Sequence, residues 1–199
     1  MKNSSVAAIL LAAGGSSRIG SPKQLLPYRG RSLLRYAAEI AVESRVGRTF
    51  VVLGYELDRM KAELRGLDVG VIENPDWQVG IATSIHIAIS SLPSTFNAAM
   101  ILLCDQPLIT AGLLDELIRT QEETGKPIVA CRYENTVGVP ALFDRSLFQE
   151  LSSLTGDHGA KQLIANHSDQ SALIPFAEGS VDIDTLADYE RQVPPRSRS

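Results

Sequence analysis

The stretch Val6-Ala7-Ala8-Ile9-Leu10-Leu11-Ala12-Ala13-Gly14-Gly15-Ser16-Ser17-Arg18-Ile19-Gly20-Ser21-Pro22-Lys23 decides how this chain is read. Its first six residues are apolar and read as a buried strand. Behind them come three glycines, three serines, one Arg and one Lys, too polar and too Gly-rich for a helix. Glycine lets the backbone approach a ligand closely and adopt dihedrals closed to other residues. Exposed N–H groups in such a loop cradle phosphate oxygens. Arg18 and Lys23 add two positive charges beside that cradle. The carboxyl end of a first strand is also where open α/β sheets hold their ligands. The plainer alternative is a solvated Gly/Ser connector. Connectors rarely combine this length, this spacing and a pair of cations directly after a buried strand.

Neither common nucleotide loop is present. Gly15 and Gly20 have the Walker spacing, but Ser21 stands where that motif requires Lys. No Gly-x-Gly-x-x-Gly triplet occurs in this stretch.

Outward from the loop, apolar runs and amphipathic stretches alternate. Strand-like runs at 49–53, Val69–Glu73, Ala98–Leu103 and 128–131 follow Val6–Leu11. Helix-like stretches at 32–44, 57–64 and Ile81–Ser91 lie between them, and another opens at Thr110. Ser32 and Thr110 stand at N-cap positions. Alternation of this kind predicts βαβ units and a mostly parallel sheet covered on both faces. The expected fold is α/β, a Rossmann-like three-layer sandwich of the nucleotide-diphospho-sugar transferase type. After Arg132 the pattern loosens into short runs at 139–143 and 172–176 around a helix-like Ala160–Asn166. This reads as the same sheet continuing with an inserted lobe. One domain over 1–192 and a disordered tail over 193–199 are expected.

Composition narrows the function classes. A chain of 199 residues buries a sizeable core without staples. A net charge of −4 argues against a general nucleic-acid binder. No apolar run approaches the length needed to span a bilayer. The N-terminus lacks the layout of a signal peptide, so a cytoplasmic setting is expected. Cys104 and Cys131 lack metal-type spacing and read as buried reduced thiols.

Four groups of residues carry chemistry. Asp105 follows the strongly apolar run Ala98–Leu103, at the tip of a central strand. A carboxylate there points into the ligand crevice, where a hard divalent ion takes one or two protein carboxylates and fills its shell with phosphate oxygens and water. The alternative is a cap for the turn at Pro107. Asp182 and Asp184, two apart in an extended segment, would share a face; Asp184 or Thr185 could instead start the helix that follows. Gly80 lets backbone groups reach a ligand, and Thr83 and Ser84 fall in the first turn of a helix, whose free N–H groups favour an anion or a polar base. Trp77 reads as a packing residue. Gly156 and Gly159 flank the start of another helix, a seat for the terminal phosphate of a second substrate, with Lys161 adding charge. Asp157 there reads equally as an N-cap. His158 lies beside them, while His86 and His167 read as structural or solvated.

Ala12-Ala13-Gly14, Ser17-Arg18, Gly20, Lys23 and Leu25-Leu26-Pro27 resemble the signature of nucleotidyltransferases that activate sugars and cofactors. Asn74-Pro75-Asp76-Trp77, Asp105-Gln106-Pro107 and Asp182-Ile183-Asp184-Thr185 follow in that family's order, and the resemblance extends to about Arg191. Within it the chain is most similar to the molybdenum cofactor cytidylyltransferases. Ala13, where the guanylyl type has Gly, and Pro140-Ala141-Leu142-Phe143 carry that preference. Ile81 stands where Met is usual, and Leu186 where Pro is usual.

The resemblance implies that Leu11, Ala12, Ala13, Gly14, Gly15, Ser16, Arg18, Lys23, Gly80, Thr83 and Ser84 bind the nucleotide. It implies that Asp105, with Asp182 or Asp184, holds Mg²⁺, and that Arg18, Lys23 and Asp105 are the catalytic set. Pro140, Gly156, Asp157, His158, Gly159 and Lys161 would face the acceptor. The implied reaction moves CMP from CTP to a molybdopterin-type molybdenum cofactor and releases pyrophosphate. A transient contact with a molybdenum oxidoreductase would follow. A sugar or alditol phosphate acceptor, or a non-catalytic cofactor chaperone, are the rival readings.

Overall fold

The computed structural model describes residues 4–16, 19–134 and 136–193. A seven-stranded sheet organises them. Its strands are β1 (Val6–Leu11), β4 (Arg48–Leu53), β5 (Val69–Glu73), β6 (Ala98–Leu103), β7 (Ile128–Tyr133), β8 (Thr136–Asp144) and β9 (Ser171–Pro175), in the order β5-β4-β1-β6-β8-β7-β9. A small hairpin of β2 (Pro27–Tyr28) and β3 (Arg31–Ser32) stands apart from it. Within the seven-stranded sheet all pairings are parallel except those of β8, which runs antiparallel between β6 and β7.

The first strand is central because every one of its side chains is buried. Val6, Ala8 and Leu10 enter one apolar layer, while Ala7, Ile9 and Leu11 enter the other. That two-residue period is what a strand covered on both faces requires. On the first face pack α1 (Leu33–Glu43), α2 (Leu57–Glu63) and α4 (Ala111–Thr124), through residues such as Leu34, Met60, Leu114 and Leu117. On the second face pack α3 (Ile81–Ser91), α5 (Phe148–Ser152) and α6 (Ala160–Asn166), through Ile85, Ile89, Leu151 and Leu163. The mostly parallel, three-layer architecture expected from the alternation is the one observed.

Local chemistry fixes the helix ends. The Ser32 hydroxyl accepts from the Arg35 N–H at 3.2 Å, and the Thr110 hydroxyl accepts from the Leu113 N–H at 3.2 Å. Each such cap stabilises its helix by about 1 kcal/mol. Gly125 ends α4 at φ +63°, its N–H donating to the Gln121 carbonyl at 2.8 Å.

Two expectations change. The region after Arg132 forms no inserted lobe: β8 enters the middle of the sheet, and β9 extends it beyond β7. A bulge between Ala130 and Cys131 accommodates Val139 and the cis-peptide residue Pro140. Val193, expected in the tail, falls within the described residues. Val193 closes α7 (Leu186–Gln192), its N–H donating to the Tyr189 carbonyl at 3.0 Å, and it packs partly buried beside Ile19, Tyr28, Leu33 and Ile183. The rest of the expected tail, 194–199, lies outside the described residues, as do Ser17 and Arg18.

Candidate functional site

A cleft of about 500 Å³ opens at the carboxyl ends of the parallel strands. Its lining comes from five separate parts of the chain. The loop after β1 contributes Leu11, Ala12, Ala13, Gly14, Ser16, Lys23 and Gln24. The turn before α3 contributes Trp77, Gln78, Gly80, Ile81 and Ser84. The end of β6 contributes Leu103, Cys104 and Asp105, and the later loops contribute Asp157 and Asp184. The crevice therefore sits where sheet topology places it.

Gln24 shapes the loop, and the sequence reading passed over it. Its side chain is buried, and Nε2 donates to the carbonyls of Ala12 at 3.1 Å and Gly14 at 2.6 Å. Its Oε1 accepts from the Ser16 hydroxyl at 3.1 Å, and that same hydroxyl accepts from the Lys23 N–H at 3.0 Å. One side chain thus ties both ends of the loop together. Ser16 takes a left-handed conformation at φ 53° to make this turn. Gln24 follows Lys23 directly, inside the quoted motif, but nothing local announces that a Gln will turn inward.

The electrostatic centre is Lys23. Its Nζ donates to Asp105 Oδ2 at 2.5 Å and to Asp184 Oδ1 at 2.9 Å. Burial works against its charge, yet the two carboxylates, Asp105 foremost, outweigh burial and hold the ammonium above its usual range. The other oxygen of Asp105, Oδ1, is buried and has no hydrogen-bond partner. A buried carboxylate oxygen without a partner is costly unless something else satisfies it. The neighbouring Cys104 thiol is pushed up to about 12 by burial and then by the Asp105 charge, so it stays protonated at neutral pH.

Asp182 and Asp184 fall on residues that pair in no strand. Ile183 between them donates its N–H to the Asp105 carbonyl at 2.9 Å and is fully buried with Ile19, Tyr28 and Leu33. Asp184 reaches Lys23, whereas Asp182 interacts with Gln106 and is not part of the cleft lining. Burial, and then the Asp105 charge, raise the Asp182 carboxyl to about 6. The helix cap left open between Asp184 and Thr185 is Thr185, in a reciprocal capping box with Asp188.

The turn before α3 hangs on Asn74, which is buried and donates to the hydroxyls of Thr83 and Ser84, both at 2.9 Å. Ser84 lines the cleft, while Thr83 bonds back to the Asp76 and Gly80 carbonyls and does not. The Trp77 ring packs on Gly15 and Gly54 and edge-on to Tyr55 at 5.4 Å. It is a packing residue as expected, and it also walls the cleft. Gly15 touches that ring rather than the open space.

Of the expected acceptor residues, only Asp157 lines the cleft. Gly156 presses its carbonyl against Gly80, and Gly159 packs near Ile81. Gly159, not Asp157, stands at the N-cap of α6. Pro140 is buried within β8, and His158 and Lys161 are exposed away from the lining. His86 Nδ1 lies 2.9 Å from the Ser152 carbonyl and His167 Nε2 lies 2.8 Å from Glu150, both structural roles.

An ammonium flanked by two carboxylates at the mouth of a polar cleft can hold a polyanion and, through its carboxylate oxygens, a hard divalent cation. Among the described residues, no three His, Cys, Asp or Glu side chains gather closely enough to hold a metal by themselves. Asp105 Oδ1 is nevertheless a hard donor in want of a partner, which fits a cation completed by phosphate oxygens and water.

Known proteins resemble this chain in sequence and fold. The sequence profile described as "MobA-like NTP transferase domain" matches residues 8–171. A protein named nicotine blue oxidoreductase, from Paenarthrobacter nicotinovorans, is 29% identical over 197 residues, covering 94% of this chain and 95% of that one. A solved homologue of Rv0371c from Mycobacterium sp. strain JC1 is 33% identical with a TM-score of 0.81, covering 94% of both chains. Rv0371c of Mycobacterium tuberculosis H37Rv, solved in complex with manganese, is 28% identical with a TM-score of 0.76, covering 96% of this chain and 98% of that one. The matched profile runs from the first strand to the last, through the loop, Asp105 and the turn before α3. The chain belongs to the MobA-like NTP transferase domain family and is a nucleotidyltransferase.

Proposed function

We propose that this protein moves CMP from CTP to a molybdopterin-type molybdenum cofactor, giving molybdopterin cytosine dinucleotide and pyrophosphate, with Mg²⁺ as the metal. The observation that carries the reading is Lys23 held between Asp105 and Asp184 in a cleft walled by the Gly-rich loop. The loop and Lys23, with Arg18, receive the triphosphate. Gly80 and Ser84 face the base, and Ala13 favours cytosine by its resemblance to the cytidylyl type. Asp157, across the cleft from the loop, marks the acceptor side. We read residues 4–193 as one working unit.

The reaction is an in-line displacement. An oxygen of the acceptor's terminal phosphate attacks the α-phosphorus of CTP. The new O–P bond forms as the bond to the pyrophosphate oxygen breaks, and the pyrophosphate carries the charge away. The protein supplies alignment and charge rather than covalent help. Lys23 offsets charge on the β- and γ-phosphates. Asp105 and Asp184 would hold the divalent cation, which would add charge neutralisation across the phosphates. Asp184 is preferred to Asp182 because it shares Lys23 with Asp105 and lines the cleft. Rv0371c, as solved with manganese, supports a divalent cation in this family.

Pyrophosphate release with each of the four triphosphates, with and without the molybdenum pterin, tests the proposal. Release that requires both CTP and the pterin is expected. Release with CTP and a sugar or alditol phosphate alone would point to the related acceptor class. Turnover of nicotine blue with no pyrophosphate release from any triphosphate would overturn the transferase reading. Pterin binding without either reaction would make the protein a chaperone.

A further inference from the structure

Lys23 stands where the metal is needed. Its ammonium bridges Asp105 Oδ2 and Asp184 Oδ1 at 2.5 and 2.9 Å, the two carboxylates the transferase reading gives to the divalent cation. A divalent cation on those oxygens and an ammonium on the same oxygens repel strongly at such separations. We propose that Lys23 is a placeholder for the divalent cation: without nucleotide it fills the gap between Asp105 and Asp184, and the triphosphate draws it away and so admits the metal. The proposal rests on the transferase reading and deepens it.

Three features of the structure support the exchange. The backbone at Lys23 is pinned, since its N–H donates to Ser16 and the next residue is the Gln24 clasp. Only the side chain is therefore left to move, and a lysine stem swings freely about its four carbons. The Gly-rich loop lines the same cleft as the two carboxylates, so the destination is a side-chain swing away. Asp105 is tied on one oxygen only, its Oδ1 remaining buried and unpartnered beside the ammonium. Without a counter-charge the two carboxylates would repel one another, so the lysine also keeps the empty site intact. The consequence is coupling: nucleotide and metal favour each other's entry, and metal alone binds weakly.

Direct Mn²⁺ binding, read by electron paramagnetic resonance without nucleotide, tests this. Lys23→Met and Lys23→Gln, checked for folding by circular dichroism, are expected to bind Mn²⁺ about tenfold or more tighter than the parent protein. Unchanged or weaker Mn²⁺ binding in both folded variants would overturn the proposal. A second measurement needs no variant. Acylation of Lys23, followed by mass spectrometry, is expected to speed up when Mn²⁺ alone saturates the site and to slow when inorganic triphosphate is added. Labelling that ignores Mn²⁺ would also overturn it. Pyrophosphate release is read separately: transfer without the Mn²⁺ effect removes only the placeholder, and the Mn²⁺ effect without transfer removes only the transferase reading.

Discussion

The carbonyl oxygen of Gly156 lies 2.3 Å from where a Cβ on Gly80 would stand. The same oxygen accepts from the Ala82 N–H at 3.1 Å, so one carbonyl fastens the loop before α6 to the first turn of α3. Gly80 itself holds φ +134°, a conformation that L side chains rarely adopt. Gly80→Ala is expected to force the two segments apart. We expect a loss of about 1–3 kcal/mol in stability, seen as a lower melting temperature. The KM for the nucleotide should rise with it, because Ser84 and Asp157 both shift. An unchanged melting curve would refute this.

Gln24→Ala removes the clasp that binds Ala12, Gly14 and Ser16. Two carbonyls lose their partner, one of them contacted within the buried core, for a cost of about 1–3 kcal/mol. The loop loses its shape while Lys23, Asp105 and Asp184 remain. KM for the triphosphate should therefore rise more than kcat falls, and steady-state kinetics separate the two. A fall in kcat alone would place Gln24 in the chemistry instead.

Asp105→Asn keeps the shape of the side chain and removes its charge. Pyrophosphate release is expected to fall by about 10²–10³-fold, with the circular dichroism spectrum unchanged. Activity within a few-fold of the parent would remove Asp105 from the site.

Trp77 is the single tryptophan of the chain, and its ring walls the cleft against Gly15, Gly54 and Tyr55. Intrinsic fluorescence is thus a reporter of one site. Titration with CTP should change its intensity or emission maximum saturably, with no added label. A flat titration alongside calorimetrically detected binding would show that the nucleotide lies elsewhere.

Asp182 offers a pH test. Burial, followed by the Asp105 charge, raises its carboxyl from the usual 3.8 to about 6. The folded chain therefore holds an extra proton between those values, and the ionised carboxylate is a net cost at higher pH. That cost fades as pH falls through 6 and is gone below 3.8. Asp182→Asn should raise the melting temperature at pH 8 and lose that advantage near pH 4. The carboxyl is only partly shielded and solvent still reaches the residue, so screening keeps the gain to about 1 kcal/mol or less. A variant less stable than the parent at pH 8 would contradict this.

Much of this was written along the chain because the signals are local. The runs Val6–Leu11 and Ala98–Leu103 are apolar on both faces, and such runs have no stable setting except inside a covered parallel sheet. Ser32 and Thr110 cap helices through their own hydroxyls, so their neighbours reveal them. The place of β8 was not legible, since an antiparallel strand between β6 and β7 is chosen by pairing partners far away in sequence.

The sequence by itself determined a Gly-rich loop after the first strand, a carboxylate at a strand tip and their common edge of the sheet. Hydrophobic period and glycine spacing are properties of adjacent residues and need no partner. Only the tertiary structure decided which carboxylate joins Lys23. Asp184 reaches Lys23, 161 residues away in the chain, while Asp182 interacts with Gln106. Folding also turned Gln24 inward and left Pro140, His158 and Lys161 outside the cleft lining. Such choices depend on which groups packing brings within a few ångströms, and a chain records that only once it is folded.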